Sequence, residues 1–179
     1  MNEGDRLMLI LPLDHSFAHT VGIYACAVKG LSIYFADARG GSKNVLKNIP
    51  INIKEANPHF MLTVPALTGN FMNKMKEGVA AKGGAIFKLY EKGLAAGIKK
   101  YGDGYQRGHG LSPGEWLAFQ LASKLIFKKF QKVFGKNFRY NVGGGALLDI
   151  SQQRFFAAIG VPVFQGYGLT EATPIISAN

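Results

Sequence analysis

The sequence has 179 residues, 47% of them hydrophobic and 12% aromatic, which is enough apolar material for one core and excludes a disordered tail. Its formal charge is +10, and its single cysteine, Cys26, excludes an internal disulfide framework and fits a reducing, cytoplasmic compartment. No stretch holds the roughly 18 uninterrupted apolar residues of a membrane span, and the polar start MNEGDRL is no secretory signal.

RLMLILPL, residues 6–13, is nearly all apolar and reads as a strand covered on both faces. It begins so early that Met1 reads as a start codon set on an interior segment. HSFAHTVGIYACAVKG follows with helical spacing and stops at Gly30, placing Cys26 as a buried, inert thiol. LSIYFAD is a second strand. SKNVLKNIPINIKEANP reads as one or two short helices ended by Asn57-Pro58. HFMLTVP is a third strand, and Pro65 opens the helix ALTGNFMNKM. Residues 78–110 are the least regular, with a helix over Ala85–Lys100 followed by a loop.

Ser112, Pro113 and Glu115 form a capping box at the start of the clearest helix. Leu117, Leu121 and Leu125, continued by Ile126, Phe130 and Phe134, predict its buried face, and Lys124, Lys128, Lys132 and Lys136 a basic stripe. FRYNV is a fourth strand running into Gly143-Gly144-Gly145. Asp149 caps the next helix, with Gln152 at the capping-box position, and Gly160 ends it. VPVFQ is a fifth strand. Strand and helix alternate, so the expected fold is α/β with a largely parallel sheet and flanking helices, in one partial domain over residues 1–179.

A solvated helix surface accounts most simply for the clustered lysines. An anionic membrane surface or acidic substrate comes next. Nucleic acid comes last because no reader motif is present, and none is expected as a partner.

Two glycine-rich loops follow consecutive strands, GGGA and GYG. Glycine there either makes a tight turn or lets the backbone approach a flat ring or a phosphate. The GxGxxG spacing of a dinucleotide fingerprint is absent. In QGYGLTEAT, Tyr167 offers a face for stacking, Thr170 a hydroxyl for a phosphoryl oxygen, and Glu171 a hard oxygen suited to Mg²⁺. Each alone has an ordinary reading as a packed ring, a cap or a solvated carboxylate. His15 and His19, at i and i+4, read as a capping and a packed histidine, and they lack a third ligand for zinc.

QGYGLTE, Gln165 to Glu171, resembles the signature of the adenylate-forming superfamily of acyl-CoA synthetases, luciferases and peptide-synthetase adenylation domains. LPLDHSF, NIKEANPHFMLTVPAL, GGGALLDISQQRFFAAIGVPVFQGYGLTE and TPIISAN resemble its long-chain fatty acyl-CoA synthetase branch, over most of the chain. The resemblance implies ATP-dependent activation of a fatty acid and its transfer to coenzyme A. It places Gly144, Gly145 and Ala146 at the adenine and acyl-carboxylate region and Gln165, Gly166, Tyr167 and Gly168 under the base. Thr170 falls at the α-phosphate, Glu171 at Mg²⁺, and His15 at the acyl and pyrophosphate end.

Gly143, Leu147 and Ala18 depart from residues common in the family, which touches acyl-site detail more than reaction class. Nothing here resembles the family's phosphate loop or its C-terminal lysine domain. The chain therefore reads as the central piece of the large N-terminal domain, an expressed fragment or a truncated product, inactive alone. The alternative is a non-catalytic nucleotide- or lipid-binding module whose basic surface meets a membrane or a partner. Acyl-chain length and oligomeric state are not legible.

Overall fold

The computed structural model describes residues 1–39, 41–102, 106, 108–172 and 175–178, with the side chains of residues 42, 43 and 46 outside that description. The loop expected after Lys100 and the closing TPIISAN fall partly outside the described residues.

Strand β1 (Arg6–Leu9) is as apolar as a two-sided burial requires, with Leu7, Met8 and Leu9 at most 1% exposed. Alternate residues of β1 and β3 (Phe60–Thr63) face opposite layers. Leu7, Leu9, Phe60 and Leu62 pack with Phe17, Ala18 and Cys26, whereas Met8 and Met61 join the larger cluster on the other side. The first layer is one continuous helical stretch: α1 (Ser16–His19), a π turn (Thr20–Tyr24) and α2 (Ala25–Lys29). Burial pushes the Cys26 thiol up, and the group donates to the Val21 carbonyl at 3.4 Å, as expected of an inert cysteine.

The sheet has six strands in the order β2 (Ser32–Phe35), β1, β3, β4 (Tyr140–Gly143), β5 (Val163–Tyr167), β6 (Ser177–Ala178). β1 to β5 are parallel, and β6 runs antiparallel to β5. The order bears out the α/β, largely parallel expectation. Connections from β1 and from β2 leave in opposite directions, so a topological switch point lies between β1 and β3.

α3 (Ser42–Ala56) joins β2 to β3 as one helix, although Pro50 lies inside it. Ile49, Ile53 and Ala56 are buried along one face, and that burial offsets the roughly 3 kcal/mol a helical proline costs. The β3–β4 crossover needs one helix, α4 (Pro65–Ala80), but carries more: α5 (Gly84–Tyr101), α6 (Pro113–Ala122), a π turn (Ser123–Phe127) and α7 (Lys128–Phe134). α8 (Ile150–Ala158) joins β4 to β5.

The Ser112–Glu115 capping box forms as expected. The buried face behind it forms only in its second half: Ile126, Phe130 and Phe134 are buried as expected, whereas Leu117, Leu121 and Leu125 are 54%, 43% and 53% exposed. Two causes act. α5 brings Gly93 against Ala122 and the Ala118 carbonyl, which selects the Phe119–Ala122 side for burial. The π turn then adds a residue, so Ile126 and Phe127 both turn inward and Phe130 and Phe134 follow. Gln152 also departs from its expected capping role. Asp149 caps α8 alone through the Ser151 N–H at 2.7 Å, while Gln152 accepts from the Thr68 hydroxyl at 2.6 Å and ties α8 to α4.

Candidate functional site

Loops leave β1, β3, β4 and β5 at neighbouring carboxyl ends of the sheet, where open α/β sheets gather their ligands. After β1, His15 caps α1: its Nδ1 accepts from the Phe17 N–H at 3.2 Å. That bond assigns the neutral ring's proton to Nε2. Nε2 lies 4.0 Å from the point a Cβ would occupy on Gly145, so the β1 and β4 loops meet at this donor. His19 turns elsewhere, with Nδ1 3.2 Å from the Leu13 carbonyl and Nε2 3.2 Å from the Tyr24 hydroxyl. Among the described residues no cluster of three His, Cys, Asp or Glu could hold a metal.

After β4, Gly144 is buried and donates to the Thr63 carbonyl at 3.1 Å. A side chain there would press on the Phe17 ring, its Cβ 3.2 Å away. Gly145 turns the chain at φ +81°, a conformation that favours glycine. Ala146 follows, exposed.

The QGYG segment is the end of β5 more than a loop: Gln165, Gly166 and Tyr167 are strand residues, because β6 pairs Gly166 with Ala178 and Tyr167 with Ser177. The Gln165 side chain accepts from the Leu148 N–H at 3.1 Å and donates to the Ala146 carbonyl at 3.4 Å. It thus clamps the GGGA loop to β5. The Tyr167 ring is 57% exposed and open for stacking. Beyond Gly168, a 3₁₀ turn (Thr170–Ala172) presents Thr170 and Glu171 to solvent. The Thr170 hydroxyl stands 3.3 Å from the hydroxyl of Ser16.

The structure therefore brings His15, Gly144, Gly145, Ala146, Gln165 and Thr170 into one connected rim. Tyr167 and Glu171 stand exposed beside it. Glu171, which follows Thr170 in the exposed 3₁₀ turn, is a hard-oxygen donor of the kind Mg²⁺ takes singly or in pairs beside phosphate oxygens and water. Sequence reading missed Ser16 and the clamping role of Gln165, because both depend on partners far along the chain. It also missed an apolar cavity of about 620 Å³ beside this rim, lined by Ile10, Leu11, Phe35, Val64 and Ala66 with Asn70 as a polar group.

Known proteins resemble this chain in sequence and in fold. The chain is 31% identical to long chain acyl-CoA synthetase 8 of Arabidopsis thaliana, over 96% of the chain and 23% of that protein. It is 26% identical to long-chain-fatty-acid–CoA ligase FadD15 of Mycobacterium bovis, over 97% of the chain and 27% of that protein. The chain thus spans about a quarter of the length of these curated relatives. In fold it matches the N-terminal domain of FACL13 from Mycobacterium tuberculosis with a TM-score of 0.57 at 21% identity, covering 99% of the chain and 30% of that structure. A long-chain-fatty-acid-CoA ligase from Archaeoglobus fulgidus matches at 0.56 and 12% identity, over 100% of the chain and 26% of that structure. A family model described as AMP-binding enzyme matches residues 1–179, and the chain belongs to that family.

Proposed function

We propose that the chain forms one wall of the ATP site of an acid–thiol ligase that joins a fatty acid to coenzyme A. The observation that carries this reading is the connected rim at the carboxyl ends of β1, β4 and β5, closed by the Gln165 clamp and the Ser16–Thr170 pair. The family relationship supplies the reaction class, and the long-chain ligases among the relatives favour a long acyl chain.

In the first step the fatty carboxylate attacks the α-phosphorus of ATP. An oxygen–phosphorus bond forms, the bond to the β-phosphate oxygen breaks, and pyrophosphate departs. In the second step the thiol sulfur attacks the acyl carbonyl, its proton is lost, and AMP leaves. Both steps gather negative charge, so positioned donors and cations dominate the catalysis. Tyr167 stacks on adenine above the backbone of Gly144, Gly145, Ala146, Gln165, Gly166 and Gly168. Thr170 donates to the α-phosphate. His15 presents Nε2–H toward the acyl carboxylate and the departing pyrophosphate. Mg²⁺ held at Glu171 would neutralise phosphate charge. The apolar cavity lined by Leu13 and Val64 takes the part of the acyl chain nearest its carboxyl group.

In the whole protein, Glu171→Ala is expected to abolish Mg²⁺-dependent pyrophosphate release, and unchanged release would sink the metal assignment. The chain alone is expected to make no acyl-CoA; ATP-dependent acyl-CoA formation by the purified chain would overturn that expectation.

A further inference from the structure

The β3–β4 crossover carries an αα-hairpin, α5 against α6–α7, beyond the single helix that a parallel crossover needs. Its outer helix shows an unusual surface. Trp116, 53% exposed, starts a row continued by the exposed Leu117, Leu121 and Leu125. Lys124, Lys128, Lys129, Lys132 and Lys136 are exposed along the same helix and just past its end. No aspartate or glutamate occurs between Trp116 and Lys136. Among the described residues, none of these five lysines joins an ion pair. The nearest acid in sequence, Glu115, is held at 2.8 Å by Lys99.

From this surface we infer that the outer face of α6–α7 docks on an anionic phospholipid bilayer, lying flat with Trp116, Leu117, Leu121 and Leu125 in the headgroup–acyl boundary. A helix lodges in a membrane interface when apolar and aromatic side chains alternate with unpaired cations, each lysine drawn by the surface potential and each leucine by the acyl boundary. An acidic protein would satisfy the lysines but leave the leucine row without a counterpart. A second observation favours lipid. Leu125 also lines an apolar cavity of about 790 Å³ between α3, α4, α5 and α7, whose polar lining includes Lys74, Lys82 and Lys129. Apolar walls beside ammonium groups suit an acyl chain under an anionic headgroup, so the cavity and the exposed row present the same chemistry. The inference does not depend on the ligase reading, since it uses no residue of the nucleotide rim.

Trp116 is the only tryptophan, so its fluorescence reports on this face directly. The test mixes the chain with phosphatidylcholine vesicles with and without phosphatidylserine, following flotation and Trp116 emission. The expected result is co-flotation and a blue-shifted emission with the phosphatidylserine vesicles, both weakened by salt. Replacing Lys124, Lys128 and Lys132 by glutamate should lower the affinity on the order of a hundredfold, and by glutamine less. Leu117→Ser with Leu121→Ser should remove most of the blue shift; both sets lie on the surface, and circular dichroism checks that they fold. Three results overturn the inference: no flotation with phosphatidylserine vesicles, undiminished binding by the glutamate variant, or a blue shift that rises with protein concentration in the absence of lipid. The last would show a second copy covering the face.

Discussion

The hydroxyls of Ser16 and Thr170 stand 3.3 Å apart across 154 positions of sequence, joining the first turn after β1 to the turn after β5. Neither residue is buried, so the bond fixes the direction of the Thr170 hydroxyl rather than the fold. Ser16→Ala is expected to raise the KM for ATP in the whole protein about fivefold, the worth of one ordinary hydrogen bond. Ser16→Thr should restore it. Equal KM values in all three proteins would remove Ser16 from the site.

The Gln165 carboxamide uses both ends, its oxygen as the acceptor and its nitrogen as the donor. Gln165→Leu should cost about 1–2 kcal/mol in urea unfolding and loosen the GGGA loop. Gln165→Glu keeps the acceptor for Leu148 but sets a carboxylate against the Ala146 carbonyl, and it should weaken ATP binding more than it weakens the fold. If both variants unfold at the wild-type midpoint, the clamp has no energetic role.

Two glycines in helix interiors should respond with opposite signs. At Gly93 an added methyl overlaps the Ala122 Cβ, and both helices are fixed by their other contacts. Gly93→Ala should therefore lose about 1–2 kcal/mol, overpacking outweighing the better helix propensity. At Gly78 in α4 nothing lies within 4 Å of an added Cβ. Gly78→Ala should gain about 0.5–1 kcal/mol. Chemical denaturation of the pair measures both; a gain at Gly93 equal to that at Gly78 would count against the close packing of α5 on α6.

At the amino end of the sheet Asp5 is buried between Arg139 and His59, tying β1 to the segments that lead into β3 and β4. Burial works to raise its carboxyl. The Asn2 N–H, the Arg139 guanidinium and His59 together outweigh that and hold it below the usual carboxylate range. The folded state thus favours the ionised form. Its stabilising effect is complete above the ordinary carboxylate value of about 3.9 and is lost as pH falls through the lower folded value. Asp5→Asn should be less stable than wild type at neutral pH by on the order of 2 kcal/mol and should lose less on acidification. Urea midpoints of the two proteins at neutral and acid pH decide this, and parallel curves would count against it.

What the sequence disclosed, and what it hid, follows from the distance between partners. The Ser112–Glu115 box is legible because both bonds close within three residues. At Asp149 the same pattern misleads about Gln152, whose partner Thr68 lies 84 positions away. The strands are legible because two-sided burial leaves an apolar run that needs no knowledge of neighbours, as at Leu7 to Leu9. The leucine row at 117, 121 and 125 has ideal helical spacing and still faces water, because Gly93 on α5 decides which side of α6 is covered. In the site, the residue types of QGYGLTE point to nucleotide chemistry. Gln165 looks like a ligand-facing group until the GGGA loop is placed beside it.

The π turn at Ser123–Phe127 sets a constraint of another kind. One residue more or fewer rotates everything after it by about 100°. Losing one there would swing Phe130 and Phe134 out of the core and carry lysines inward. In this stretch the count of residues is therefore held as tightly as the identity of the buried phenylalanines. A single-codon deletion here should do more harm than a substitution at any one exposed position of the helix.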